Sequence, residues 1–388
     1  MTEAVLVIGA GPAGLAAAAE LRRRGVPAEI IEKSQAVASA WRSRYDRLRL
    51  NTSRWNSTLS GERFPGGTPV FPARDEFVRY LESYVERHDL AVRFGIQVER
   101  IDRCGETLRV VTSAGDLAAR HVIVATGHEH TPRLPEWRGL PDYQGRFLHS
   151  AEYRNPAEFR NADVLVAGAG SSAFDIAHDL TQGGAARVCL SVRSQPHVLM
   201  RASGPLPTHL LVEVLYGVPA RLADRVVRLV RRCTVGDLSP WGLTGPRDGL
   251  FAWMARTGRP PTVVDADVIK AIKARRIEIV ANVSSVKADG VLLDDGNALR
   301  PDAIIAATGF STGLEPVVGH LGVLDGRGMP RAFGGPAVMP GLRFTGYLPN
   351  IANLDQDACA VAEQVSRELA ATEPGSREPA AASTKSPV

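Results

Sequence analysis

The 388-residue sequence predicts an α/β protein of two Rossmann-like, three-layer dinucleotide-binding domains, one inserted in the other. Three observations predict it. An apolar strand, a glycine-rich turn and a helix occur in "AVLVIGAGPAGLAAAAEL" and again in "DVLVAGAGSSAFDIAHDL". A second short strand follows each of them, "AEIIEK" and "ARVCLSVRS". Each unit later reaches an apolar strand ending in Ala-Thr-Gly, at 125–127 and at 307–309. Strands alternating with helices give a parallel sheet covered on both faces.

In the first unit the turn is Gly9-Ala10-Gly11-Pro12-Ala13-Gly14. Gly9 permits the tight turn, Gly11 lets a pyrophosphate approach the backbone, and Gly14 lets the helix pack on the strand. The helix N-terminus then offers free N–H groups to the diphosphate. Glu32 ends the next strand. A carboxylate there accepts both ribose hydroxyls of an adenosine and repels a 2′-phosphate, so this site is expected to take FAD or NAD, not NADP. The basic loop region "AWRSRYDRLRLNTSRW" follows. Phe77, Tyr80, Leu81 and Tyr84 then fall at helical spacing and read as one buried face. Thr126 and Gly127 end the closing strand, where small residues let the chain pass close to a bound cofactor. His128 and His130 lack a ligand partner at useful spacing and read as a solvated loop, so no metal is expected.

In the second unit the turn is Gly168-x-Gly170, with Ser171 and Ser172 leading to Ala173 in place of the last glycine. No acid ends its second strand. Arg193 stands there instead, flanked by Ser191 and Ser194, and a guanidinium grips a 2′-phosphate bidentately. NADPH is therefore expected here. Thr308 and Gly309 close this unit, and a strand, a loop and a helix follow. The chain divides into an FAD domain at 1–158, an inserted NADPH domain at 159–299, a return to the FAD domain at 300–370, and a Pro-, Ala- and Ser-rich tail at 371–388 expected to be disordered. In the inserted part, Leu222, Val226, Leu229 and Val230 form one apolar stripe, with Arg221, Arg225, Arg228 and Arg232 on other faces. This reads as a domain helix with a solvated basic face; docking on an anionic membrane surface is the alternative.

Composition limits the function classes. The chain is 44% apolar and 23% charged, with a net charge of +4, ordinary for a soluble globular protein. At 6% aromatic it lacks the stacking residues of a single-stranded nucleic-acid binder, and no nucleic-acid partner is expected. Cysteines at 104, 189, 233 and 359 are too dispersed for a redox CxxC or a zinc ribbon, and read as reduced thiols in the cytoplasm. The apolar opening carries structured glycines and no basic leader, and no run is long enough for stable membrane insertion.

The chain resembles the class B flavin-containing monooxygenases, especially YUCCA-like and bacterial single-component members. The resemblance rests on Gly9–Gly14 with Glu32, "ASAW", "FPARDEFVRYLESY", both Ala-Thr-Gly turns, "GAGSSAFD", and "YQGRFLHSAEY" at 143–153. The last matches the family pattern Phe-x-Gly-xxx-His-xxx-(Tyr/Phe), with Tyr143 in place of Phe. The resemblance implies FAD, NADPH, O2 and a small-molecule substrate, with oxygen transfer through a C4a-(hydro)peroxyflavin. It implies N- or S-oxygenation, or oxidative decarboxylation of a 2-oxo acid. Ketone insertion of the Baeyer–Villiger type, or an NADPH-dependent oxidase or dehydrogenase without oxygen insertion, is the alternative. Residue by residue it places Ala40, Trp41 and Thr52 against FAD, and Ser172, Ala173 and Asp175 near NADPH. Asn51 lies beside the reactive edge of the flavin, and Asp357 opens the last helix toward its pyrimidine. His149 and Tyr153 are expected to support the hinge between the domains, and Gly145 to allow a turn.

Overall fold

The computed structural model describes residues 2–59, 61–204, 206–258, 260–348 and 351–372. The tail expected at 371–388 lies outside the described residues from 373 onward, and 371 and 372 still belong to the last helix, Leu354–Thr372.

The first sheet contains β1 (Thr2–Ile8), β2 (Glu29–Glu32), β3 (Val92–Phe94), β4 (Val98–Cys104), β5 (Thr107–Thr112) and β6 (Leu117–Val124), in the order β3-β2-β1-β6-β5-β4. β1 runs parallel to β2 and β6, with Leu6 opposite Glu29 and Val122. The returning strand Leu342–Phe344 pairs parallel with the end of β6, so both ends of the chain share this sheet. Val5 and Val7 point into one core with helix α1 (Pro12–Arg23), helix α2 (Arg74–Arg87) and the last helix; Leu6 and Ile8 point into another. Both faces being covered explains the unbroken apolar run of β1. Ala16 to Ala19 are all buried, and their small side chains let α1 pack closely on Ala358, Val361 and Ala362 of the last helix. Phe77, Tyr80, Leu81 and Tyr84 are buried, as their spacing predicts.

The second sheet contains β7 (Arg146–His149), β8 (Asp163–Ala167), β9 (Arg187–Ser191), β10 (Glu278–Val280) and β11 (Ala303–Ala306), in the order β10-β9-β8-β11-β7 and parallel throughout. Helix α3 (Ser171–Gln182) follows β8. Residues 146–149 and 303–306 thus belong to the second sheet, whereas the expected boundaries left them in the first domain. The chain crosses before β7 and returns after β11, and the two crossing segments pair antiparallel as Thr131–Pro132 with Phe310–Ser311.

The inserted segment adds helices α4 (Thr208–Leu215), α5 (Ala220–Thr234) and α6 (Ala266–Lys273). In α5 the expected stripe is split: Val226 packs against the core and Val230 is half-buried, but its two leucines are turned outward. Ala223 and Val227 face inward with Leu199, Leu215 and Leu250, while Leu222 and Leu229 are exposed. The smaller side chains occupy the close contact with the neighbouring helix Leu250–Thr257.

Candidate active site

At the end of β1 the chain turns through Gly9, whose φ is +105° and whose added Cβ would lie 2.9 Å from the Ala125 oxygen. A Cβ on Gly14 would fall 2.0 Å from the Gly9 oxygen. Gly11 has nothing within 4 Å of its Cβ position. Two glycines therefore fix the turn, and the third leaves a bare shelf at the N-terminus of α1. Pro12 stands at the start of that helix, where its missing N–H costs nothing. Ala13 is buried beneath, facing Gly346 of the returning chain; a Cβ on Gly346 would come within 2.4 Å of it.

Glu32 reaches back to this turn. Its Oε2 accepts the Ala10 N–H at 2.9 Å; its Oε1 accepts the Ser34 N–H at 3.0 Å and the Ser39 hydroxyl at 3.2 Å. Three of roughly four acceptor positions are filled, which leaves capacity for a ribose hydroxyl. A bare shelf at a helix N-terminus beside a fixed carboxylate fits an adenosine diphosphate moiety. The "ASAW" segment is pinned alongside. Ala38 adopts a φ of +58° and donates its N–H to the Ala10 oxygen at 3.0 Å, and Trp41 packs edge-on against Phe77 at 4.7 Å. Ala40 is exposed. Thr126 shares a 2.9 Å hydrogen bond with Tyr347, and Gly127 has a φ of +79°. Ser39, Gly346 and Tyr347 were not singled out from sequence. "TGY" after an apolar strand, echoing Ala-Thr-Gly, was the available signal for the last two.

The second turn repeats this geometry. A Cβ on Gly168 would lie 2.3 Å from the Ala307 oxygen, and Gly170 faces open space. Ala173 is fully buried and packs under Gly168. The Ser171 hydroxyl accepts the Val263 N–H at 2.9 Å, tying strand Thr262–Val264 to the turn, and Ser172 is half-buried in the first turn of α3. Arg193 is exposed beyond β9 and forms no ion pair among the described residues. Ser191, two residues before it, is buried at the end of a strand covered on both faces and donates to the Ala281 oxygen at 2.9 Å. Arg193→Ala is expected to lower the ratio of kcat/KM for NADPH over NADH by about ten- to a hundredfold, the worth of hydrogen bonds to a charged group. Steady-state kinetics with both cofactors check this, with the NADH value unchanged.

Between the two turns, each marked residue of "YQGRFLHSAEY" has a contact. Tyr143 donates to the Pro301 oxygen at 2.5 Å. Gly145 does not make a left-handed turn; it leaves room for the Tyr143 ring, since a Cβ there would come 2.4 Å from that ring. His149 is buried at the end of β7. The Ala151 N–H donates to its Nδ1 at 3.1 Å, so Nε2 carries the proton and donates to the Gly309 oxygen at 3.1 Å. Burial pushes the His149 pKa down, keeping this neutral tautomer. Thr308 in the same turn donates to the Arg133 oxygen at 2.5 Å. Tyr153 donates to Asp179 of α3 at 2.8 Å. The stretch therefore ties the edge strand, the second Ala-Thr-Gly turn and α3 together. Gly145→Ala is expected to cost about 1–3 kcal/mol by overpacking against Tyr143, read by denaturant unfolding; Tyr143→Ala in the same chain should recover part of it.

Asn51 is exposed on the loop after β2, and its side chain makes no hydrogen bond among the described residues. Thr52 bonds Ser57 at 2.7 Å. The loop is held from the other domain by α4: His209 Nε2 lies 3.3 Å from the Ser53 hydroxyl, and Asn56 donates to Glu213 at 3.1 Å. Asp175, expected near NADPH, is committed elsewhere. It is buried, accepts the Tyr45 hydroxyl at 3.0 Å, and lies 3.7 Å from the buried Arg201, which also pairs with Asp265 at 3.0 Å. A cavity of about 350 Å³ opens beside them, lined also by Asp46, Arg47 and Arg49. Burial raises the Asp175 pKa to about 6, against the pull of Arg201 and Tyr45. Asp357 is half-buried; a Cβ on Gly334 would come within 2.5 Å of its carboxylate. His130 lies 2.8 Å from Lys33, an ammonium that repels a metal cation.

Two nucleotide cradles in one chain, joined by a hydrogen-bonded hinge, define a two-cofactor flavoprotein oxidoreductase. Residues 6–203, just over half of the chain, match the pyridine nucleotide-disulphide oxidoreductase family. The indole-3-pyruvate monooxygenase YUCCA1 of Oryza sativa subsp. japonica is 36% identical over 314 residues, covering 80% of this chain and 77% of the relative. The probable indole-3-pyruvate monooxygenase YUCCA7 of Arabidopsis thaliana is 32% identical over 378 residues, covering 93% and 86%. A flavin-containing monooxygenase from Stenotrophomonas maltophilia superposes with a TM-score of 0.74 at 25% identity, covering 95% of this chain and all of that one. The chain belongs to the class B flavin-containing monooxygenases, within the pyridine nucleotide-disulphide oxidoreductase family. It is an FAD- and NADPH-dependent monooxygenase acting with O2 on a small molecule. Its four cysteines are free thiols, so it shares the fold of the disulphide enzymes without a disulphide. No helix among the described residues is long and apolar enough to cross a membrane.

Proposed function

We propose that this monooxygenase oxidatively decarboxylates a 2-oxo acid of the arylpyruvate class. The observation that carries the reading is the match, at 36% identity across 80% of the chain, to an indole-3-pyruvate monooxygenase. The overall reaction balances: R–CO–COOH, O2, NADPH and H+ give R–COOH, CO2, H2O and NADP+. The C1–C2 bond breaks, one oxygen atom enters the new carboxyl group, and NADPH supplies the two electrons that reduce the other to water.

FAD, when bound, accepts hydride from NADPH and activates O2 for transfer of one oxygen atom. The chain's own residues bind, orient and exclude water. On this reading Gly9, Gly11, Pro12, Ala13 and Gly14 hold the FAD diphosphate, and Glu32 takes its ribose. Ala40, Trp41, Thr52, Thr126 and Gly127 line its path, and Asp357 opens the helix facing its pyrimidine. Gly168, Gly170, Ser171, Ser172 and Ala173 shape the NADPH site, Arg193 holds its 2′-phosphate, and Thr308 and Gly309 lie at the crossing between the sites. Asn51 offers an amide at the reacting edge; its side chain has no competing partner among the described residues, and α4 braces its loop through Ser53 and Asn56.

The experiment is aerobic turnover with NADPH, indole-3-pyruvate and phenylpyruvate under 18O2. One labelled oxygen per carboxylate product and near-stoichiometric NADPH use are expected. Hydrogen peroxide equal to the NADPH consumed, with no labelled acid, sinks the reading. Asn51→Ala is expected to keep its flavin and its anaerobic reduction by NADPH while diverting most turnover to peroxide; unchanged coupling removes Asn51 from the site.

A further inference from the structure

We propose that helices α4 and α5 form a peripheral docking surface for an anionic lipid bilayer. Five of the ten exposed large apolar side chains among the described residues fall in this one stretch: Leu206, Val214, Tyr216, Leu222 and Leu229, each more than half exposed. Apolar surface gathered in this way marks an interaction site rather than ordinary surface scatter. Ala223 and Val227 already serve the core, so Leu222 and Leu229 are not needed to hold α5 in place.

The exposed charges around Leu222 and Leu229 have one sign. α5 carries five arginines and a single acid, Asp224, a net of +4 that equals the net charge of the whole chain. Asp224 does not offset the exposed side, because it accepts the Phe251 N–H at 2.8 Å on the packed side of the helix. Arg221, Arg225, Arg228 and Arg232 are exposed, and none forms an ion pair among the described residues. At 3.6 residues per turn, Leu222 and Leu229 stand within about 20° of each other, with Arg225 and Arg232 roughly 60–80° to one side. Leucines at the centre with guanidiniums along the flank are the arrangement of a helix lying in a membrane interface. The leucines enter the acyl boundary and the arginines meet lipid phosphates. A nucleic acid would use the arginines and leave the leucines in water. A second copy of this chain would bring a +4 helix against another positive molecule. The inner side of α4 holds the Asn51 loop through His209 and Glu213, so a docked bilayer would lie over the helix that braces that loop.

The test uses the full FAD-loaded chain and co-sedimentation with vesicles of phosphatidylcholine, with and without phosphatidylglycerol, at low and high salt. Binding to the anionic vesicles at low salt, little to phosphatidylcholine alone, and release by salt are expected. Arg225→Gln with Arg228→Gln should lower the partition roughly thirtyfold, the loss expected for two basic residues at a charged surface. Leu222→Ser with Leu229→Ser should also lower it severalfold at unchanged charge, which separates docking from simple adsorption. Flavin content and anaerobic bleaching by NADPH serve as the folding control and should match the parent. Failure to bind anionic vesicles at low salt overturns the proposal. So does binding that ignores the leucine pair, or a sedimentation profile in which that pair holds two copies together.

Discussion

Glu32→Ala yields a protein that purifies colourless, with FAD affinity lowered by about a hundredfold or more. The carboxylate is the point where turn, strand and following loop meet: it accepts from Ala10, Ser34 and Ser39 within 2.9–3.2 Å. Removing it leaves two backbone N–H groups without partners in a site that is 7% exposed. Each orphaned group costs about 1–3 kcal/mol, and the ribose hydroxyl loses a charged acceptor worth about as much. The orphaned groups loosen the cradle in the free and bound protein alike. Since ~1.4 kcal/mol is a factor of ten, the lost charged acceptor alone lowers FAD affinity by about ten- to a hundredfold, and the loosened turn adds to it. Glu32→Gln is expected to fall between, because the amide keeps one oxygen and turns an NH2 group toward donors. Titration of the stripped protein with FAD, followed by flavin fluorescence quenching, gives the affinities. If Glu32→Ala emerges fully loaded and binds FAD as the parent does, Glu32 does not serve the adenosine.

Both cradles were legible because their signals are local. Gly9, Gly14 and Gly168 answer to backbone atoms a few residues away or at the closing strand, and no other side chain fits. Glu32 was legible for the same reason: a strand end places one side chain beside the turn. Parity is not legible in a strand buried on both faces, so the sequence does not say that the Ser191 hydroxyl is spent on the Ala281 oxygen. The packed face of α5 is only half visible in sequence: Val226 packs as its spacing promises, but Ala223 and Val227, not Leu222 and Leu229, fit the close contact with the next helix. β7 was missed because four residues of mixed polarity carry little strand signal. The seam between the domains was least visible. Tyr45 meets Asp175 across 130 positions and Ser53 meets His209 across 156, and nothing local at either end announces the partner.

That seam supports the second large expectation: Arg201→Ala should destabilise the protein by about 3–5 kcal/mol, and more at alkaline than at acid pH. Arg201 is 3% exposed and lies between two carboxylates, 3.0 Å from Asp265 and 3.7 Å from Asp175. Taking one partner from a buried charge pair strands the other, which is where the cost arises. Asp175 has a folded pKa of about 6 against an ordinary 3.8, raised by burial and held down by Arg201 and Tyr45. A raised carboxyl pKa means that the folded state keeps a proton the unfolded state has lost. Its contribution is full below the unfolded pKa and fades as pH rises through the folded one. In the parent that loss ends near pH 6; without Arg201 the folded pKa moves further up and the loss continues to higher pH. The variant should therefore lie nearest the parent at about pH 5 and furthest near pH 8. Asp175→Asn in the same chain should restore much of the stability and flatten this added slope, because the amide carries no charge to strand. Urea unfolding at the two pH values with FAD in excess decides it, and an equal loss at both would show that Arg201 acts by packing alone. The seam joins the segment leading to Asn51 with the helix that opens on the NADPH turn, so these variants should also slow flavin reduction at saturating NADPH while leaving NADP+ affinity, read by fluorescence, close to that of the parent.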